Sequence, residues 1–253
     1  MIDIHSHILP GLDDGARDVE ESLAMLRVAA EAGTTDIVAT PHSNLEFQFD
    51  PDLVDRKIAE VAAASDGAVR IHRGCDFHLH FENIQEAIEN PAKFAIAQKK
   101  HILVEFSDLL IARSTEEVFN CLLDAGLVPI ITHPERNRLL QQRIERLERW
   151  VQGGCAVQVT AQSFAGLFGK SARRFAGELM RRGLVHIVAS DAHDSRHRPP
   201  RLDEAYRYLK SHYGVDTAEL LCVRNPGAVL AGEHIEQPGA AGLSARKWYR
   251  FWT

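Results

Sequence analysis

Short apolar segments alternate with amphipathic helices along most of this chain of 253 residues, and this alternation restricts the possible folds more than any other feature. Strands that alternate with helices are typical of a parallel sheet, and a chain of this length can bury one large core, so we expect a single α/β domain. The expected strands span residues 2–4, 36–40, 68–72, 102–104, 128–132, 156–159 and 185–189. The main helical patterns span residues 19–32, 50–64, 115–125, 144–151, 171–182 and 202–213.

Six of the seven expected strands end in a histidine, an aspartate or a glutamate. If the sheet closes into a barrel, all carboxyl ends of its strands meet on one face, where active sites are built. The residues concerned are His5, His7, Asp13 or Asp14, His42, Asp76, Glu105, His133, Asp191 and His193. This set is too large for one ion and fits two or three divalent ions about 3.5 to 4 Å apart. Mixed nitrogen and carboxylate ligands favour manganese, iron or zinc over magnesium or calcium.

The first of these strands carries the pattern His5-Ser6-His7. Residues two apart on a strand share a face, so both imidazoles can bind one ion. A following loop that contains Gly15 can bring Asp13 or Asp14 back toward them. The pattern alone is common at protein surfaces, and the ligand-type residues at later strand ends are what favour a metal site.

Charge and cysteine content exclude several classes of function. The net charge of −6 gives no basic footprint for nucleic acid. We expect a cytoplasmic protein without membrane insertion, because the chain opens directly with a strand and contains no apolar run of about eighteen residues. The four cysteines are widely separated, and none is followed six positions later by arginine, so a phosphatase loop with a cysteine nucleophile is excluded.

Six motifs together resemble the PHP (polymerase and histidinol phosphatase) superfamily. Their order and spacing resemble its bacterial tyrosine-protein phosphatase branch, which is found with capsule and exopolysaccharide gene clusters. The motifs are His5-Ser6-His7, Asp13-Asp14-Gly15-Ala16, Pro41-His42, Glu105-Phe106, His133-Pro134-Glu135-Arg136 and Ser190-Asp191-Ala192-His193. The resemblance covers residues 1–230. It implies a distorted, TIM-like (β/α)7 barrel at residues 1–232, followed by a tail at residues 233–253.

The same resemblance implies three metal ions and a distribution of their ligands. One metal would be held by His5, His7, Glu105 and Asp191, a second by Glu105, Asp76 and His133, and a third by Asp14, His42 and His193. Asp14 is preferred here over Asp13. Asp76 stands where relatives often have a glutamate, which shortens the reach of this side chain toward the second metal.

The implied activity is hydrolysis of phosphotyrosine by metal-activated hydroxide, because clustered cations lower the pKa of a bound water and neutralise phosphate oxygens. Arg136 and Arg198 are expected to bind the phosphate oxygens. Asp194 or His197 could assist the leaving group. The expected partner is the tyrosine-rich tail of a bacterial tyrosine kinase of capsule or exopolysaccharide synthesis.

Other functions fit the same barrel. A small-molecule phosphatase, for example one acting on histidinol phosphate, and a phosphodiesterase would use the same ligands. A non-catalytic binding module is a further alternative, although a complete set of ligands argues against it.

Several residues are interpreted as structural. His78 and His80 repeat the spacing of the first motif, but apolar residues alternate with them, and we interpret both as rim or core histidines. No function is assigned to His72, His101, His186, His212 or His234. The basic aromatic segment 246–252 is interpreted as a tail that packs on its own barrel or is disordered, with docking or oligomer contact as the alternative.

Overall fold

The structure is a computed structural model that describes residues 1–238, so the basic aromatic segment 246–252 lies outside the described residues. Within residues 1–238, nine strand segments form the sheet, and all of their pairings are parallel. They are β1 (Ile2–Ser6), β2 (Asp36–Ala39), β3 (His42–Ser43), β4 (Arg70–Arg73), β5 (Asp76–His78), β6 (His101–Glu105), β7 (Val128–Ile131), β8 (Ala156–Thr160) and β9 (Ile187–Ala189).

The nine segments correspond to seven strands, because two of the strands are each interrupted once. Segments β2 and β3 follow each other with only two residues between them, as do β4 and β5, and each pair runs on in one direction. The sheet closes on itself where the Asp191 amide donates to the His5 carbonyl and the His7 amide donates to the Ala192 carbonyl, both at 2.8 Å. The predicted α/β barrel with seven parallel strands is therefore confirmed.

In the described part of the chain, twelve helices lie between the strands or follow them. They are α1 (Val19–Glu31), α2 (Pro51–Ala64), α3 (Phe81–Glu89), α4 (Pro91–Phe94), α5 (Thr115–Asp124), α6 (Arg138–Gln141), α7 (Ile144–Gln152), α8 (Ala161–Ala165), α9 (Gly169–Arg181), α10 (Asp203–Tyr213), α11 (Val215–Glu219) and α12 (Asn225–Ala231). A 3₁₀ turn at Ile96–Gln98 and a π-helical turn at Leu220–Arg224 complete the set. The expected helices are present to within about two residues at each end. Helices α11 and α12 match two further short helices expected from residue 217 and near residues 226–231, whereas α3, α4, α6 and α8 were not expected.

An apolar layer fills the barrel below its carboxyl end. Ile4, Val38, Leu103, Ile130 and Ile187 come from five different strands and are fully buried in one cluster. Side chains two residues apart on a strand point the same way. For this reason Leu103 in the layer places Glu105 directly above it, at the open end of the barrel.

Strand β1 departs from regular pairing, and this departure helps to position the first motif. Its register with β2 shifts between Asp3 and Ser6. Ile4 belongs to the apolar layer, while the next residue, His5, is fully buried against the pocket residues Gln158 and Asp191. A local irregularity in a strand can re-aim a side chain in this way.

The chain continues to pack on the barrel after Gly232. Ile235 is buried with the apolar layer. The Asn225 side chain donates to the Glu236 carbonyl at 2.8 Å and accepts from its amide at 2.9 Å. The predicted division between barrel and tail at residue 232 stays a prediction. Within residues 1–238, each helix is too short or too polar to cross a bilayer.

Candidate metal centre

The predicted ligands converge at the carboxyl end of the barrel. Four groups can be formed in which the nitrogen or carboxylate oxygen atoms all lie within 4.8 Å of one another. They are His7–Asp14–His42–His193, His42–Asp76–His78–Glu105, His5–His7–Asp76 and His5–His133–Asp191. Every one of the nine predicted ligands takes part, together with one residue that the sequence analysis had set aside, His78.

The groups differ in part from the expected distribution of ligands. Asp14, His42 and His193 stay together as expected, with His7 beside them. Asp76 and Glu105 lie with His42 and His78, whereas His133 lies with His5 and Asp191. Glu105 still faces both sets, since its Oε1 is 3.5 Å from His133 Nε2 and its Oε2 is 2.6 Å from His78 Nε2.

His5 in β1 and His7, just after this strand, are oriented by partners behind them. His5 Nδ1 lies 3.1 Å from Gln158 Oε1, and His7 Nδ1 lies 2.7 Å from Asp13 Oδ2. Each ring therefore turns its Nε2 inward, where both nitrogens lie 3.4 Å from Asp191 Oδ1. Oriented imidazoles whose outer nitrogen is held by an oxygen are typical of metal ligands.

Asp13 and Asp14 have different surroundings. Asp13 also accepts from the backbone amides of Gly15 and His42, each at 3.0 Å. Asp14 instead points its Oδ1 at His42 Nε2 and His193 Nε2, at 3.4 and 3.3 Å. This geometry favours Asp14 as the ligand and Asp13 as the residue that orients His7.

Gly15 allows this loop to approach β1 closely. A Cβ atom at position 15 would lie 2.1 Å from the His7 carbonyl oxygen and 2.5 Å from His7 Cβ. Only a residue without a side chain fits against the strand at this distance. The glycine thus sets the position of both neighbouring carboxylates.

Two of the predicted ligands have strained backbones. His133 has φ of 30° and Asp191 has φ of 51°, a region that residues with a side chain rarely adopt. Each lies just beyond the end of its strand, β7 or β9, where the chain must turn. Strain of this kind persists where the surrounding structure enforces it and is frequent at functional sites.

Burial and neighbouring charges determine the protonation states of the candidate ligands in the metal-free protein. Burial lowers the pKa of His5 to about 3 and that of His133 to about 4, which favours the neutral imidazole that binds metals. Burial, with the nearby Glu105 carboxylate, raises the pKa of Asp76 to about 7. Burial opposes ionisation of Asp191, but the neighbouring His5 and His7 side chains and the Arg136 guanidinium hold its pKa well below the usual range.

The site fits divalent metal ions because many of its buried polar atoms have no other partner. Among the described residues, the following buried atoms make no hydrogen bond: His5 Nε2, His7 Nε2, His78 Nε2, Glu105 Oε2 and Asp76 Oδ1. Buried polar groups are costly when unsatisfied. Imidazole nitrogens and carboxylate oxygens that face one another are suited to share cations.

Two arginines lie beside the cluster, as expected. Arg136 Nη1 and Arg198 Nη2 both donate to Asp191 Oδ2. Both guanidinium groups also lie over the ring of Phe168, with Cζ 4.4 and 5.9 Å from its centre. Phe168 was not predicted, because it lies in none of the sequence motifs. A pocket of about 590 Å³ opens between Glu105, His133, Arg136 and Phe168.

The residues considered for assisting the leaving group lie on the loop before Arg198. Asp194 accepts from the backbone amides of Arg196 and His197 at 2.7 and 2.5 Å. Burial raises its pKa, but these bonds outweigh that effect and keep the pKa below the usual value. The His197 side chain is 90% exposed. Their predicted assistance stays a prediction, and the ionised Asp194 is poorly suited to donate a proton.

The fold and site define a parallel α/β barrel protein with a candidate metal centre at the carboxyl ends of its strands. The family model described as capsular polysaccharide synthesis, CpsB/CapC, matches residues 1–231. Tyrosine-protein phosphatase YwqE of Bacillus subtilis (strain 168) is 32% identical over 99% of this chain and 100% of its own length. Tyrosine-protein phosphatase CpsB of Streptococcus pneumoniae is 30% identical over 93% of this chain and 100% of its own length.

A solved structure gives the same result. It is described as YwqE from Bacillus subtilis and CpsB from Streptococcus pneumoniae, unique metal-dependent tyrosine phosphatases, and it superposes with a TM-score of 0.88 at 33% identity. The superposition covers 94% of this chain and 97% of the other. The chain belongs to the CpsB/CapC family, and the resemblance inferred from its motifs is confirmed.

Proposed function

We propose that the protein is a metal-dependent protein-tyrosine phosphatase, a hydrolase of phosphoric monoesters. The observation that carries this proposal is the convergence of nine sequence-distant ligand residues on one pocket whose buried polar atoms lack other partners. Arg136 and Arg198 both donate to Asp191, one of these ligand residues. The names of the relatives support the same activity.

The proposed cofactors are two or three divalent ions, with manganese the best match to the donor set and iron or zinc as alternatives. The proposed ligands are His5, His7, Asp14, His42, Asp76, Glu105, His133, Asp191 and His193. Bound ions would lower the pKa of a coordinated water and neutralise phosphate oxygens.

Arg136 and Arg198 are proposed to bind the phosphate group. Arg198 Nε is buried and makes no hydrogen bond to the described part of the chain, so this donor is available to a ligand. Phe168 packs against both guanidinium planes and restricts their motion. Preorganised donors of this kind stabilise the charge that develops on a phosphoryl group in the transition state.

A phenolate leaving group suits this site. Its pKa of about 10 lets it depart with less protonation than an alkoxide needs. The carboxylate of Asp194 is already engaged by backbone amides, and no other acid is required for phosphotyrosine. Hydrolysis of a serine phosphate would place a greater demand on such an acid.

The proposed partner is a phosphotyrosine protein, specifically the tyrosine-rich tail of a bacterial tyrosine kinase in capsule or exopolysaccharide synthesis. Membership of the CpsB/CapC family supports a role in that process. The open pocket beside Glu105 and Phe168 can receive a side chain presented on a protein segment. A cytoplasmic location belongs to the same proposal.

A comparison of three substrates tests the function. The manganese-loaded protein is expected to hydrolyse a phosphotyrosine peptide at least about tenfold faster than a phosphoserine peptide or histidinol phosphate, since the leaving groups differ in pKa. EDTA is expected to abolish all three activities. Preference for histidinol phosphate would replace the proposal with a small-molecule phosphatase, and absence of turnover with every ester would leave a binding module.

A further inference from the structure

His78 lies where a further ligand would be needed, although no motif includes it. It is two residues after Asp76 on β5, so both side chains lie on the same face of that strand. In the register of the sheet, Asp76 is opposite His42 of β3, and His78 is opposite Glu105 of β6. The pairing brings four ligand-type side chains into a single group.

His42 is needed elsewhere in the centre. Its Nε2 faces Asp14 at 3.4 Å, in the group that also contains His193. Its Nδ1 lies 2.9 Å from Asp76 Oδ2. A histidine that binds a metal through one nitrogen usually donates its other N–H to a carboxylate, which fixes the ring. On this assignment His42 orients Asp76 and supplies no nitrogen to the ion beside it.

The two carboxylate oxygens of Glu105 face the nitrogens of two different histidines. Its Oε1 faces His133 at 3.5 Å, and its Oε2 faces His78 at 2.6 Å. His133 belongs to the group of His5 and Asp191. The nitrogen left on the Oε2 side is therefore Nε2 of His78, which is buried and lacks a hydrogen-bond partner within residues 1–238.

We propose that His78 is a metal ligand and that its Nε2, Asp76 and Glu105 Oε2 together hold one divalent ion. This assignment rests on the metal centre of the proposed function and adds a residue to it. The carboxylate of Asp76 is fully buried, with Oδ2 beside His42 Nδ1 at 2.9 Å and Oδ1 without a hydrogen bond in the described chain. A cation shared with His78 and Glu105 would satisfy these oxygens, and the imidazole would supply a third donor beside the short aspartate side chain.

The alternative is that His78 only orients Glu105 by donating a hydrogen bond. Two substitutions of similar reach separate these roles. His78→Gln keeps a neutral donor toward Glu105 and removes a good metal ligand, whereas His78→Glu keeps a ligand and removes the donor. His80→Gln is the matched control, because His80 is two residues further on, lies 3.2 Å from Glu82 Oε2 and belongs to none of the four groups.

The experiment is a calorimetric titration of the metal-free proteins with manganese chloride, with bound metal counted by mass spectrometry after gel filtration. We expect His78→Gln either to bind one manganese ion fewer or to weaken the affinity of one binding step by more than about 100-fold. A smaller loss of affinity is typical of a residue that only orients a ligand. His78→Glu is expected to keep the stoichiometry of the unmodified protein, and His80→Gln to match that protein throughout.

Wild-type metal binding by His78→Gln would overturn the proposal, as would loss of an equivalent by His78→Glu with retention by His78→Gln. Near-ultraviolet circular dichroism of the metal-free variants checks their folding, and if only His78→Glu folds, loss of an equivalent in that variant overturns the proposal. Phosphotyrosine turnover is measured in parallel. If the unmodified protein binds metal and cleaves no phosphotyrosine peptide, the proposed function fails while the ligand assignment stands.

Discussion

Asp13 Oδ2 lies 2.7 Å from His7 Nδ1, and this contact separates the tasks of two adjacent aspartates. Asp13 fixes the ring of His7 from behind. The neighbouring Asp14 instead faces the nitrogens of His42 and His193. One loop thus supplies both a candidate ligand and a residue that orients another ligand.

Substitution of the two aspartates should have different effects. Asp13→Asn is expected to lower manganese affinity by about 10- to 100-fold, with activity recovering at excess metal, because only the orientation of His7 is weakened. Asp14→Asn is expected to lose activity that excess metal does not restore. Turnover of p-nitrophenyl phosphate across a manganese titration measures both. The reverse pattern would identify Asp13 as the ligand.

The close approach of Gly15 to His7 gives a second prediction. In Gly15→Ala the added methyl would collide with the His7 carbonyl, so the loop must move and carry Asp14 away from His193. We expect about a 100-fold loss of turnover, the effect of roughly 1 Å of misplacement, in a protein that remains folded. Gly177→Ala in α9 is the control, since its new Cβ would meet only Arg181 Nη1 at 3.6 Å. Unchanged turnover in Gly15→Ala would contradict this view of the loop.

Replacing either arginine by lysine tests their proposed contact with phosphate. Arg136→Lys and Arg198→Lys keep the charge and lose the planar donor pair. We expect each to reduce kcat by about 100- to 1,000-fold, the range for loss of one preorganised donor, with little change in bound metal. Arg207→Lys, at an exposed ion pair with Asp203, should retain full turnover. A normal kcat in both of these variants would show that neither arginine contributes to catalysis.

His101 gives a prediction for pH that is independent of the metal centre. Burial lowers its pKa from 6.5 to about 4, so the unfolded chain binds more protons between these values and stability falls as the pH drops through this window. His101→Asn removes the effect. Its cost in free energy of unfolding should therefore be smaller at pH 4.5 than at pH 7.5, by about 2 kcal/mol. Urea titrations in EDTA measure this difference, and an equal cost at both pH values would contradict it.

Much of the fold could be predicted because strand length and helical periodicity are local properties. The side chain of Asp50, for example, caps α2 before Pro51 by accepting from the amides of Asp52 and Leu53, and an aspartate followed by a proline is a local pattern typical of a helix start. The interruption of one strand at Gly74 was not expected. A Cβ there would lie 2.7 Å from Val38 Cγ1, a contact between distant parts of the chain that periodicity does not contain.

Because of that interruption, His78 was interpreted from the sequence as a rim or core histidine. With the strand taken to end before Gly74, the alternation of Phe77 and Leu79 with histidines was interpreted as packing. In the structure Asp76–His78 is β5, and the alternation is that of a strand with one face in the pocket. The spacing of Asp76 and His78, the same as that of His5 and His7, was the available signal.

The distribution of ligands among ions depends on features that a single sequence does not contain. His133 and Asp191 have positive φ angles just beyond β7 and β9, and both residues group with His5. The contact of both arginines with Phe168 joins residues from three separate loops. Residue type and strand position indicated which side chains converge, and three-dimensional packing determines their partners.

The most direct test of the metal centre is crystallography of the manganese-loaded protein, with anomalous diffraction recorded at the manganese absorption edge. We predict two or three anomalous peaks within bonding distance of His7, Glu105 and Asp191, at the carboxyl end of the barrel. The central claim would be contradicted if fully loaded crystals showed manganese elsewhere on the protein and none among these side chains.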